Sequence, residues 1–377
     1  MFKSPASTFK TFFFLSIGIL VFGDVMVFSA AQVLGLKDGG NSFSVSWKQI
    51  IISIFAFGGA WLIAQFPLST IKFFAHRSLA IAVVVMLLLI PFGRDVNGNT
   101  NWISFGPIDF QPSEVAKVFL ILWAAYIIEN NYGNAKKITS SLVIGFSLVL
   151  LVVLKGGDLG SAVVIGLILM SLIYLAGADI KVIAGFSLVG IIGVAALVFS
   201  ASYRIDRFTA FIHPFADGVY KNAGWQPAHS LIALGSGGLF GSGIGAGKQK
   251  WGNLAEAHTD FIFGVIGEEF GLFGTLVTVT AMSLLVFSII KIALLARDNF
   301  SKYLGLGIAF WIGFQSLINL LSATSLIPVV GVTLPFISYG GSSLLATVGA
   351  LGFVAGIALR NPQVSKELNV RWPRGAK

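Results

Sequence analysis

The chain contains no cysteine, which excludes disulfides, thiolate catalysis and thiolate metal sites. Charge is almost as scarce. Asp, Glu, Lys and Arg make up 11% of the 377 residues, against about 25% in a typical water-soluble domain. The four histidines, His76, His213, His229 and His258, show no tight metal-binding spacing. Acids are outnumbered by bases, 16 to 25. The resulting net charge of +9 implies no nucleic-acid partner, because an anionic membrane leaflet accounts for it. Tandem repeats and low-complexity tracts are absent too, so residues 1–377 read as one membrane domain.

What fills the chain instead is apolar sequence: 56% of residues are hydrophobic and the mean hydropathy is +0.88. Runs of about 17–25 apolar residues can cross a bilayer as helices. Ten such runs lie near 10–31, 47–66, 76–92, 112–130, 138–154, 159–177, 180–200, 260–292, 303–327 and 338–359. The expected fold is an all-α polytopic membrane protein of about ten transmembrane helices. The first run is longer than a signal-peptide core of about 7–15 residues and reads as a retained anchor. The eighth is long enough to contain a kink. Ten spans put both termini on one side. Lys3, Lys10, Lys72, Arg77, Lys136, Lys137 and a tail at about 360–377 share that side, and the positive-inside bias makes it cytoplasmic. The large polar loop, about 201–258, then faces outward.

Four segments on the outward side carry polar chemistry. Phe110-Gln111-Pro112-Ser113-Glu114-Val115-Ala116-Lys117 opens the fourth span. Pro112, a capping Ser113 or Gln111, and Glu114 make a good helix start in their own right. Lys117 opposes the helix dipole, so if it faces inward it needs an anionic partner or ligand. Lys155-Gly156-Gly157-Asp158-Leu159-Gly160 is a tight turn that ordinary turn chemistry explains. In Tyr203-Arg204-Ile205-Asp206-Arg207-Phe208, charges alternate with apolar groups. Arg204 and Arg207 there either anchor to lipid headgroups or grip a phosphate.

The glycine run from Gly235 to Lys248 is no nucleotide-binding loop. That pattern needs Gly where Ser242 stands, and Ser or Thr where Gln249 stands. The run reads as a close-packed or re-entrant loop. The large loop ends on Glu256-Ala257-His258-Thr259-Asp260. Ionisable groups at a bilayer boundary are costly to place and are functional candidates by default. Capping alone would also explain Asp260 if a helix begins there. Glu268 lies about 12 Å deeper and off the Asp260 face, with Glu269 beside it. The spacing favours one outward catalytic acid and deeper structural acids. The fourth segment, Thr333 to Ser343, offers hydroxyls, Ser338 and Ser342 among them, that either line a cavity or serve helix packing. Asp24 lies inside the first span, with no partner visible in the sequence.

Read in order, Asn101-Trp102-Ile103, Phe110 to Lys117, Asp158-Leu159-Gly160, Tyr203-Arg204 with Arg207, Gly235 to Gly241, Gln249-Lys250, Glu256 to Phe263 and Leu334 to Ser343 resemble one set of motifs. They are those of the shape, elongation, division and sporulation family, which comprises the FtsW, RodA and SpoVE proteins. The resemblance covers essentially residues 9–360. Three departures stand out: Asn101 in place of an arginine, Lys155-Gly156-Gly157 in place of Gln-Pro, and Ala255 in place of a proline.

The resemblance implies a ten-helix glycosyltransferase that polymerises lipid II into peptidoglycan at the outer face of the bacterial cytoplasmic membrane. Its implied partners are a class B penicillin-binding protein, which is a transpeptidase, other division or elongation proteins, and membrane lipids. The wording from Thr333 to Leu345 leans towards the FtsW branch and cell division. Asp260 is then the catalytic aspartate, a general base. Lys117, Arg204 and Arg207 would face the leaving undecaprenyl pyrophosphate. Glu114, Asp158, His258, Ser338 and Ser342 would complete the substrate site. A divalent cation, Mg or Mn, fits this chemistry beside Asp260, although no ligand cluster demands it. The competing readings are a lipid II flippase, whose ionisable groups would sit nearer the midplane, a scaffold without chemistry, and a RodA-type elongation polymerase.

Overall fold

The computed structural model describes residues 2, 4–32, 43–96, 99–106, 108–199 and 202–369. Lys3, Pro107, the side chains of Tyr203 and Arg204, and the tail from Val370 lie outside the described residues. Every apolar run is a helix. In chain order the helices are α1 (Pro5–Ala30), α2 (Ser44–Gln65), α3 (Leu68–Phe92), α4 (Pro112–Asn130), α5 (Ala135–Lys155), α6 (Leu159–Leu175) and α7 (Ile180–Phe199). Two helices of the polar loop follow, α8 (Ser202–Ile212) and α9 (Trp225–Ser236). Then come α10 (Ile262–Leu294), α11 (Asn299–Ala323), α12 (Gly341–Leu359) and α13 (Pro362–Glu367). Seven are long and apolar enough to cross a membrane. The other three runs are α4, which carries Glu114, Lys117 and Glu129, and α6 and α7, whose apolar stretches are shorter.

Local chemistry sets the helix starts. Ser4, Asn134, Asp158 and Asp298 each cap a helix by accepting from a backbone N–H three residues on, at 2.9–3.1 Å. Outward faces carry Phe14, Ile54, Phe55 and Trp61 exposed, as lipid-facing helices do. Where helices cross closely, the residues are small. A Cβ on Gly352 of α12 would collide with the Ala60 carbonyl of α2. The two ends of the chain meet, with Lys10 of α1 3.2 Å from Glu367 of α13. Both ends of the bundle's chain therefore lie on one side, and the 202–261 loop lies on the other.

The kink allowed for in the eighth span is real. Gly271 interrupts α10 with φ 66 and ψ −162. The glycine run fills the break. Leu272 and Phe273 donate their N–H groups to the carbonyls of Gly238 and Leu239, at 2.9 and 3.0 Å. Ser242 and Gly243 donate in return to the carbonyls of Glu268 and Glu269, each at 3.0 Å. Irregular backbone at membrane depth is tolerated only when its polar groups are satisfied in this way. Gly241 is left-handed, and a side chain there would strike Glu269. The expected re-entrant loop is thus present, keyed into a helix break.

One element departs from an all-α reading. β1 (Gly93–Val96), β2 (Asn99–Phe105) and β3 (Ile108–Phe110) form a small antiparallel sheet in the order β1-β2-β3. Arg94 pairs with Trp102, and Ile103 with Phe110. Thr100 N–H donates to the Gly156 carbonyl at 3.0 Å, which ties the sheet to the α5–α6 turn. Strands this short have too few alternating residues to register as a period of two.

Candidate active site

The site is built where the end of the polar loop meets the segment before α12. α10 begins at Ile262, and its start has no side-chain cap. Asp260 therefore precedes the helix and caps nothing, so the capping explanation of this residue falls away. Its backbone is clamped instead. Tyr339 N–H donates to the His258 carbonyl at 2.8 Å, and Ser338 Oγ donates to the Thr259 carbonyl at 2.6 Å. Asn319 Nδ2 of α11 donates to the Asp260 carbonyl at 2.8 Å and to the Val332 carbonyl at 2.7 Å. Three successive carbonyls are thus held by the facing wall. The carboxylate backs onto Gly331, which is left-handed (φ 71), and a Cβ there would stand 3.5 Å from Oδ2.

The surroundings favour the protonated form of Asp260. Burial is the main cause, with the negative charges of Glu256 and Asp158 adding to it. Arg207 opposes them, and the pKa comes to about 7 from an ordinary 3.8. Glu256 is itself unusual, a left-handed non-glycine residue with φ 55. Its carboxylate accepts from Thr259 Oγ1 at 2.8 Å, which holds it in the same turn as Asp260. His258 packs its ring on Tyr339, centroids 5.6 Å apart. Burial lowers its pKa, against the pull of Glu256.

The other sequence candidates separate by environment. Lys117 is fully buried. Its Nζ donates to Glu114 Oε1 at 2.7 Å and to Gln315 Oε1 at 2.8 Å, and it lies over the Trp311 ring. The anionic partner that an inward-facing Lys117 requires is therefore Glu114. Gln315 also donates to Thr333, so this ion pair braces the wall that holds Asp260. Asp158 caps α6 and accepts from Gln111 Nε2 and Ser113 Oγ, both at 3.0 Å. Ser342 Oγ accepts from Gln111 N–H at 2.9 Å. Ser338 accepts from Leu334 N–H at 2.8 Å while donating to Thr259. In this arrangement Glu114, Lys117, Asp158, Ser338 and Ser342 are buried and bonded to protein, whereas Asp260, His258 and Arg207 stand nearer the surface.

A cavity of about 270 Å³ is lined by Asp206, Arg207, Asn222, Ala223, Gln226, Pro227 and Val329. It lies between α8, the start of α9 and the segment leading to Gly331. Among the described residues no three His, Asp or Glu side chains gather as a metal site. Sequence reading missed Asn319 and Gln315. Two amides four residues apart inside an apolar span were the available signal, since such a pair shares one helix face. Glu268 and Glu269 serve as the deeper structural acids. Glu268 accepts from the N–H groups of Lys248 and Gln249, and Glu269 pairs with Lys250 at 2.6 Å.

The fold and site are those of a polytopic helical membrane protein with a half-buried carboxylate on a clamped loop segment at one end of the bundle. Residues 10–363 match the family of FtsW, RodA and SpoVE, described as cell cycle proteins, and the chain belongs to that family. It is 35% identical over 353 residues to a probable peptidoglycan glycosyltransferase FtsW of Geobacter sp. (strain M18), covering 92% of this chain and 95% of that one. It is 37% identical over 348 residues to the protein of that name from Halothiobacillus neapolitanus (strain ATCC 23641 / c2), covering 90% and 83%. Its fold resembles a chain of a peptidoglycan synthase complex that coordinates polymerization and crosslinking. The TM-score is 0.73 at 26% identity, covering 93% of this chain and 98% of that one. The rod shape determining protein RodA of Thermus thermophilus aligns with a TM-score of 0.69 at 26% identity, covering 93% and 97%.

Proposed function

We propose that this protein is a peptidoglycan glycosyltransferase that polymerises lipid II, with Asp260 as general base. The observation that carries the reading is a half-buried carboxylate with a pKa of about 7, on a segment whose backbone is clamped by the facing wall. A base is most effective when its pKa lies near the working pH. Asp260 takes the proton of an acceptor sugar hydroxyl. The hydroxyl oxygen bonds to the anomeric carbon of a second lipid II. The bond from that carbon to the pyrophosphate oxygen breaks, and lipid pyrophosphate leaves with the electron pair. Arg207, whose charge acts on Asp260, would offset the developing negative charge. A divalent cation would have Asp260 as its protein ligand and take its other ligands from pyrophosphate and water, a common arrangement for Mg. No step above depends on it.

The reading places the site on the outer face of the cytoplasmic membrane, next to a class B penicillin-binding protein. The likeness to a chain of a synthase complex supports the partner, and the FtsW-named relatives favour septal synthesis over elongation. The orientation is open to a direct test, because the chain has no cysteine of its own. Ala216→Cys should react with a membrane-impermeant reagent in intact spheroplasts, and Lys136→Cys should not. The reverse labelling would put the site on the wrong side for this substrate.

The assay that tests the activity is glycan synthesis from purified lipid II, followed against pH. The rate should rise through a midpoint near 7 as Asp260 loses its proton. Glu256→Gln removes a charge that raises the pKa, so its midpoint should move to lower pH. Neutralising Arg207 removes the opposing charge, so its midpoint should move higher. A flat profile across this range would argue against Asp260 as the base. Movement of lipid II between leaflets without glycan would indicate a flippase.

A further inference from the structure

We infer that the cavity between α8 and α9 is the acceptor-sugar subsite, and that Gln226 and Asn222 are the residues that read the sugar; this rests on the glycosyltransferase reading above. Arg207 lines the cavity, and its charge acts on Asp260. Val329 closes it on the side that leads to Gly331, against which the Asp260 carboxylate rests. Through Val329, two residues before Gly331, the cavity borders the segment that backs the base.

The lining selects the class of ligand. Asp206 and Arg207 contribute one negative and one positive charge, so the cavity is neutral in sum. A pyrophosphate, strongly anionic, would meet Asp206 as a like charge. A neutral, polyhydroxylated and N-acetylated sugar would not. Gln226 forms no hydrogen bond with the described residues, although it is only partly exposed. Asn222 uses Nδ2 on the Gly218 carbonyl at 2.9 Å, which leaves its Oδ1 as an acceptor. A free primary amide offers both donor and acceptor, the complement of an acetamido group. The volume of about 270 Å³ lies just below the usual range for small-ligand pockets, about 300–1,000 Å³. That suits one sugar ring rather than a disaccharide with its peptide.

The two positions are outside the machinery that clamps Asp260. Neither bonds to the segment 256–261 or to 331–340. Their loss should weaken acceptor binding without altering the base. In lipid II polymerisation by the full chain with its transpeptidase partner, Gln226→Ala and Asn222→Ala should each raise the apparent KM about 3- to 10-fold, the worth of one neutral hydrogen bond. The kcat should change little and the pH midpoint should not move. A second arm uses lipid II whose non-reducing sugar carries a hydroxyl in place of the acetamido group. Wild type should use it less well by a similar factor, and Gln226→Ala should scarcely distinguish the two substrates. Gln226→Glu keeps the side-chain shape and one acceptor, and guards against misfolding of the alanine variant. It should fall between wild type and Gln226→Ala. Unchanged KM in both alanine variants, or equal discrimination by wild type and Gln226→Ala, would overturn the subsite. Either result could coexist with an inactive Asp260→Asn protein, and the glycosyltransferase reading would then stand. No glycan from wild type would remove both.

Discussion

Asp260→Asn should abolish glycan polymerisation while the protein folds and binds its partner as wild type does. Asparagine has nearly the same shape. The Asp260 carbonyl held by Asn319 at 2.8 Å is backbone and is untouched. No helix cap is lost, because α10 has none. What disappears is the capacity to take a proton, and general-base assistance is worth about 10²- to 10⁴-fold in rate. Stability should move the other way. A carboxyl with a pKa of about 7 when folded and 3.8 when unfolded opposes folding wherever it must ionise. That opposition is fully present above pH 7, and it fades as pH falls towards 3.8. The asparagine variant should therefore melt at or above the wild-type temperature at pH 8, with the difference closing in acid. A loss of activity with no loss of stability separates a working group from a structural one. Near-normal glycan yield from purified lipid II would sink the role of Asp260 and reopen the scaffold and flippase readings.

Lys250→Met should be among the most destabilising single changes in the chain. Lys250 and Glu269 pair at 2.6 Å with both side chains at 0% exposure. Ser29 of α1 donates to Glu269 at 2.7 Å and accepts from Lys250 at 2.7 Å. The triad joins α1, the glycine loop and α10 at the Gly271 break. Methionine matches the lysine stem in volume but leaves Glu269 buried without its cation. Breaking one side of a buried pair costs about 3–5 kcal/mol. Replacing both members, Lys250→Met with Glu269→Leu, should recover most of the loss, because no lone charge remains. Thermal unfolding in detergent measures both variants. A single variant within about 1 kcal/mol of wild type would place the pair among exposed bridges of little worth.

The membrane class, the ten apolar helices and the family follow from the amino-acid order alone. Apolar runs long enough for a bilayer leave the backbone one way to satisfy its hydrogen bonds, so Pro5–Ala30 and its successors are helices whatever they pack against. Asp260 also stood out as a candidate, because an acid at the mouth of a span is costly to place and its neighbours Glu256 to Phe263 carry a specific motif. The bonding partners of the other polar residues emerge only from the folded packing. Lys117 and Glu114 are three residues apart, yet nothing local says that Gln315, 198 positions away, completes their bonding. Ser338 and Ser342 read equally well as cavity hydroxyls or packing residues until their partners, Thr259 and Gln111, are in place. The cavity at Gln226 arises where α8, the start of α9 and Val329 meet, segments far apart in the chain. Periodicity reports only which face of an element is buried. Which groups meet there depends on long-range packing, and that is where this site is made.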